Sequence, residues 1–305
     1  MPDSIMSAKD NEKADAVLVL AGYEKTVSSK KGTKNGPKEI IKMLDSKLEL
    51  FDRTYKMQPA NKIKIGQKEL GMSFLSPEKA LAKITDECAK ILAKNEFVFL
   101  LGGEHSVSLG LLIALKNKIN PKEVTILHID AHCDLRDSDA DYSEHSSKLA
   151  HSCVMRWAHE LGYNLVQVGI RTYFKGEHEY FSDPKNNIKV FEWGKRDKRD
   201  SASGAIWRAP SIEEILDSIK TKYVYISIDV DGFDPAHMPG TGTAVQGGLE
   251  WWYGVELIER TIDSKELVGA DIVEVSPMRD SILTEYGAAQ LVYTIIAHKF
   301  RDRLR

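Results

Sequence analysis

The feature that most constrains this chain is a repeated pairing, in which a short and almost wholly apolar run ends abruptly in acids and histidines. Phe97–Leu101 runs into Gly102-Gly103-Glu104-His105-Ser106, and Val124–Ile129 runs into Asp130-Ala131-His132-Cys133-Asp134. Tyr223–Ile228 runs into Asp229-Val230-Asp231-Gly232-Phe233-Asp234-Pro235. Ala16–Ala21, Leu165–Ile170 and Leu267–Val275 are apolar runs of the same kind. Runs that are apolar on both alternating faces suit strands of a parallel sheet covered on each side by helices. Helical patterns lie between them, at Leu109–Lys118, Ile212–Lys220 and Gly254–Ile262, and Pro37 opens a short helix over Lys38–Leu44. Ser76-Pro77-Glu78 is a helix start, with Ser as N-cap and Pro in the first turn. After it, Leu81, Ile84, Cys88, Ile91 and Leu92 share one helical face. Strands alternating with helices predict an α/β fold.

The length of 305 residues suits one large domain, and no repeat, linker or composition break divides it. Residues 1–14 read as a flexible tail and 15–305 as a single domain. The charged stretches Ser28–Gly36 and Lys195–Asp200 read as surface loops. With 42 basic and 45 acidic residues, the net charge of −3 gives no sign of a nucleic-acid-binding body. The apolar runs are far shorter than the roughly 20 residues of a membrane span. Met1–Ala14 lacks the basic start and apolar core of a secretion signal. Three cysteines, Cys88, Cys133 and Cys153, favour reduced thiols. The expectation is a cytoplasmic protein with no nucleic-acid or membrane partner.

In open parallel sheets, ligand sites lie beyond the carboxyl ends of the strands. The three acid- and histidine-rich segments are therefore expected on one rim. In extended chain, alternate residues share a face, which groups Asp130, His132 and Asp134, and likewise Asp229 and Asp231. Close, buried carboxylates repel one another, and divalent cations remove that penalty. His105, Asp130, His132, Asp134, Asp229 and Asp231 exceed the needs of one metal. Four carboxylates balance two divalent ions about 3.5–4 Å apart. An oxygen-rich set with two imidazoles suits Mn²⁺, with other divalent metals as alternatives. Water between two cations should lose a proton far more easily than bulk water, giving a nucleophile without Ser or Cys. His128 lies one step back inside its strand and reads as a core residue or one that steadies a ligand. Cys133 has the opposite parity and should face away.

Together these segments resemble the ureohydrolase family, the arginase and agmatinase group, with agmatinase the nearer. The matching stretches are Gly102–Ser106, Asp130–Asp134, Ser227–Pro235, Pro239–Thr243, Gly247–Leu249 and Val273–Pro277, within a resemblance that runs over residues 16–300. The resemblance implies a three-layer sandwich with a mainly parallel eight-stranded sheet and two Mn²⁺ per chain. It assigns His105 and Asp134 to one metal, His132 and Asp231 to the other, and Asp130 and Asp229 as bridges. Glu274 matches the acid that pairs with a substrate guanidinium, and Thr243 a pocket-lining residue. His151, which starts His-Ser-Cys-Val-Met-Arg, matches the histidine that passes a proton to the leaving amine, with His145 as the other candidate. Asp134 is assigned to stabilising the reacting centre. Trimers or hexamers are implied.

The departures bear on the substrate. No acidic Gly-Asp element occurs near Ile63–Leu70. The loop Leu135–Ala150 lacks the Asn-containing stretch with which arginases hold an amino acid, and carries Asp137, Asp139, Asp141 and Glu144 instead. Acids there would attract a cationic tail, or else stand on a plain solvated loop. The expected reaction is agmatine to putrescine and urea. Aminopropylagmatine, arginine, guanidinobutyrate and formimidoylglutamate are alternative substrates, and a catalytically silent metal-binding scaffold is the alternative of another class.

Overall fold

A computed structural model of the chain describes residues 5–8, 12–26, 30–72, 74–140, 146–194 and 209–304. Its centre is a sheet of β1 (Ala16–Ala21), β2 (Ile65–Glu69), β3 (Phe97–Gly102), β4 (Val124–Ile129), β5 (Asn164–Ile170), β6 (Lys189–Glu192), β7 (Tyr223–Asp229) and β8 (Glu266–Val273). The order is β2-β1-β3-β8-β7-β4-β5-β6, and all neighbours are parallel. The expected eight-stranded α/β architecture is present.

Each inner strand splits its side chains between two cores, as period-2 geometry requires. Phe97, Phe99 and Leu101 join α1 (Gly36–Ser46), α6 (Ile212–Ser218), α7 (Trp251–Ser264) and α8 (Leu283–Lys299) on one side. Val98 and Leu100 join α2 (Pro77–Ala93), α3 (Ser108–Lys116) and α4 (Val154–Glu160) on the other; α5 (Lys175–Ser182) adds Tyr180 and Phe181 there. These are the three layers.

The sequence pattern did not single out β2, β6 or α8. The two strands form the edges of the sheet, and only two of their nine residues are fully buried, so neither is an apolar run. Helix α8 is buried nearly all round, which erases the periodic contrast that marks a surface helix. Part of the stretch expected as a tail packs on the body. Ile5 is buried, Ala8 N donates to Ile65 O at 3.1 Å, and Ala14 N donates to Glu96 Oε1 at 2.8 Å. The stretch Lys195–Asp200 lies outside the described residues. Among those described, no helix is long and apolar enough to cross a membrane.

The strands that lead to the chemically loaded segments, β3, β8, β7 and β4, are consecutive neighbours at the middle of the sheet. Their carboxyl ends therefore open side by side.

Candidate metal centre

His105 begins a short 3-10 turn after β3, Asp130 directly follows β4, Asp229 ends β7, and Glu274 directly follows β8. The side chains converge through turns rather than through strand alternation. Asp134 has φ 52° and Glu274 φ 62°, left-handed values that cost a non-glycine residue energy and are held only by their surroundings. Asp229 Oδ1 accepts from Asp231 N at 2.9 Å, which curls the segment instead of extending it. Gly232 lets the two loops touch, since a Cβ there would sit 2.7 Å from Asp130 N.

Two histidine nitrogens face carboxylate oxygens. His105 Nδ1 lies 3.1 Å from Asp134 Oδ2, 3.3 Å from Asp130 Oδ2 and 3.6 Å from Asp229 Oδ2. His132 Nδ1 lies 3.1 Å from Asp231 Oδ2 and 3.4 Å from Asp130 Oδ1. Asp130 thus offers one oxygen to each histidine, and the donors form two groups that share it. His128 also reaches Asp130 Oδ2 at 2.8 Å through Nε2. Cys133 is packed in the apolar core, outside both groups.

The electrostatics call for cations. Burial pushes the Asp229 carboxyl well up, and the charges of Asp231 and Asp130 push it further. Asp231 is raised for the same first reason, with Asp130 next. Burial works against charge on His105 and His132, yet the surrounding carboxylates raise both well above the ordinary imidazole range. A decisive detail is that His105 Nδ1 is buried and hydrogen-bonded to nothing, although three carboxylates surround it. An imidazole lone pair among carboxylates is the donor set for a divalent ion. The residues present fit such ions.

Glu274 is buried against this cluster. Its Oε1 accepts from His105 N at 2.8 Å, and its own N donates to Gly103 O at 2.8 Å. Burial lifts its carboxyl to about 8. A cavity of about 500 Å³ opens over the cluster, lined by His132, Asp134, Asp229, Asp231 and Glu274 together with His151, Ser152, Thr241 and Thr243. His105 and Asp130 lie beneath, fully buried. His151 N donates to Thr26 Oγ1 at 3.1 Å, and that hydroxyl donates to Glu104 Oε1 at 2.8 Å. His145 lies outside the described residues.

Sequence reasoning missed Lys30, Arg136, Tyr173 and Phe174, which also line the cavity. They stand on loops without a motif, so no local signal marked them. The loop acids behave differently from expectation. Asp139 is buried and accepts from Ser147 N within its own loop, and Asp137 lines a separate recess. Asp141 and Glu144 lie outside the described residues. Among the described residues, the acids of this loop do not line the main cavity.

A parallel three-layer α/β protein with a shared-carboxylate histidine cluster at the carboxyl rim of its sheet is the class that fold and site define. The arginase family profile matches residues 14–298, and the chain belongs to that family. The N(1)-aminopropylagmatine ureohydrolase of Synechocystis is 33% identical over 93% of this chain and 90% of its own. The agmatinase of Bacillus subtilis is 32% identical over 90% of this chain and 88% of its own. The crystal structure of the agmatine ureohydrolase of Thermoplasma volcanium superposes with a TM-score of 0.78 at 28% identity, covering 98% of this chain and 94% of the other.

Proposed function

We propose that this chain hydrolyses agmatine to putrescine and urea, using two divalent cations, Mn²⁺ by preference. The observation that carries the reading is the bare His105 Nδ1 among three carboxylates, on the same rim as a buried Glu274. His105 with Asp134 would hold one ion and His132 with Asp231 the other, with Asp130 and Asp229 shared. Bound there, the ions neutralise the carboxylates and acidify water for attack.

The chain's own groups supply the rest. Glu274, with one oxygen held by His105 N, keeps the other for a guanidinium, which it orients by charge-assisted hydrogen bonds. Thr243 shapes the wall beside it. Water adds to the guanidinium carbon and gives up its protons as the urea carbonyl forms, the carbon–nitrogen bond to the tail breaks, and the electron pair leaves on the amine nitrogen. His151, which lines the cavity, delivers a proton to that nitrogen as general acid. Asp134 stabilises the charge that builds at the reacting carbon.

N(1)-aminopropylagmatine is the second reading, because the 33% identical relative is named for it and a cavity of about 500 Å³ leaves room for a longer tail. The test is urea release from agmatine, N(1)-aminopropylagmatine, arginine and guanidinobutyrate with Mn²⁺. The proposal expects the highest kcat/KM for agmatine. A higher value for the aminopropyl compound selects the second reading, and no urea from any of them overturns both. By the family resemblance we also propose a cytoplasmic homo-oligomer, trimer or hexamer, which sedimentation checks.

A further inference from the structure

One step beneath the centre, four buried polar side chains form a row across the sheet. Gln167 on β5 pairs in register with His128 on β4, His128 with Ser227 on β7, and Ser227 with Asp271 on β8. All four are fully buried on the face shared with α2, α3 and α4. An acid, an imidazole, an amide and a hydroxyl in such a place each carry a desolvation cost that packing does not offset.

The hydrogen bonds in the row run in a determined direction. Gln167 Nε2 donates to Cys133 O at 2.7 Å, which fixes the amide's orientation, and the same nitrogen lies 2.8 Å from His128 Nδ1. His128 Nδ1 is therefore the acceptor, so its proton sits on Nε2 and is donated to Asp130 Oδ2 at 2.8 Å. At the other end, the Ser227 hydroxyl spends its one proton on Asp271 Oδ1 at 2.8 Å. Toward His105 Nε2, 2.9 Å away, Ser227 can then only accept. His105 accordingly carries hydrogen on Nε2, which leaves Nδ1, the nitrogen turned to the three carboxylates, as the one that can ligate an ion.

We propose that the row Gln167–His128–Ser227–Asp271 is a positioning device, which sets the tautomer of His105 and the angle of the Asp130 carboxylate so that both present lone pairs to a cation. Asp271 and Ser227 act on the His105 side, and Gln167 and His128 act on Asp130. None of the four touches substrate. The inference rests on the metal-centre reading above and extends it to residues that never meet the ion. Groups that orient a ligating histidine typically change metal affinity by about 10–100-fold.

The test is calorimetric titration of the metal-free full chain with Mn²⁺, beside its thermal melt without metal. Wild type is expected to take two ions. Ser227→Ala and Asp271→Asn should each weaken one of them by 10–100-fold and leave the other within threefold. Tyr225→Phe is the control. It removes a second hydroxyl bonded to Asp271, from Tyr225 Oη to Asp271 Oδ2 at 2.5 Å, without touching the His105 link. It should leave both affinities within threefold. Gln167→Met frees the residue behind Asp130, and should weaken both ions because Asp130 serves both groups. Wild-type affinities in both Ser227→Ala and Asp271→Asn overturn the proposal. So does equal weakening by Tyr225→Phe, which would make the effect one of packing. A wild-type chain that takes no divalent metal instead overturns the metal-centre reading itself, so the two failures are told apart.

Discussion

The two halves of the candidate centre differ in depth. In the His105 half the histidine and Asp130 are fully buried, and only the edges of Asp134 and Asp229 reach the cavity. The His132 half opens upward, with 30% of that side chain exposed and the ring lining the cavity. The deep half is anchored by sheet residues, through Ser227 and Asp271, whereas the shallow half is held by loop contacts such as Ala131 N to Asp231 Oδ1 at 3.0 Å. A charge that is buried needs its partners supplied in advance, while one near solvent is partly served by water. The deep half therefore belongs to the fold as well as to the chemistry, and the shallow half chiefly to the chemistry.

The largest expected effect comes from the residue both halves share. Asp130→Ala should abolish binding of both metals and lower urea release by about 1,000-fold or more, measured by metal analysis and a urea assay. Loss of only one metal would mean that the halves are independent. Glu274→Gln comes next, with a loss of about 100-fold in turnover and unchanged metal content. The same variant has a pH signature. The folded carboxyl titrates near about 8 and the free side chain near 4.5. Between those values the folded, metal-free chain holds a proton that the unfolded chain has released. Its stability should thus fall as pH rises from 4.5 toward 8. Denaturation of the metal-free Gln variant should show that slope reduced.

The comparison is sharpened by removing each histidine in turn. His105→Ala strands carboxylates and a hydroxyl in the interior, and should cost the metal-free fold about 2–4 kcal/mol. His132→Ala should cost under about 1 kcal/mol, while still lowering metal affinity. Equal costs would erase the distinction between deep and shallow halves. The smallest effect lies far from the centre, at His298. Burial opposes its charge, but Glu259 and Asp263, each 3.4 Å away, raise it above the ordinary value of 6.5. That stabilisation is complete below pH 6.5 and is lost as pH rises through the raised folded value. His298→Gln should remove at most about 1 kcal/mol at pH 6, because both acids are partly exposed, and less as pH rises.

Much of this site was legible because its residues sit where regular apolar runs stop. The break after Ile129 or Ile228 is visible in one dimension, and the acids and histidines follow at once. Asp271 was not legible in that way. It lies inside Leu267–Val273, and a single acid within an apolar strand gives no hint of which strand's residue it will meet. Lys30, Arg136, Tyr173 and Phe174 were missed for a related reason, since they come from loops far apart in the chain. Of the described loop acids, Asp139 turns inward to Ser147 and Asp137 lines a separate recess, placements that no local pattern announces.

The sequence by itself determined the alternation of strands and helices and the kind of donors gathered at the rim, because hydrophobic period and residue chemistry are local properties. Only the tertiary structure decided that β3, β8, β7 and β4 stand side by side, that Asp130 divides its two oxygens, and that Ser227 meets Asp271. Strand order, register and hydrogen direction are relations between distant segments, and they exist only once the sheet has closed around its core.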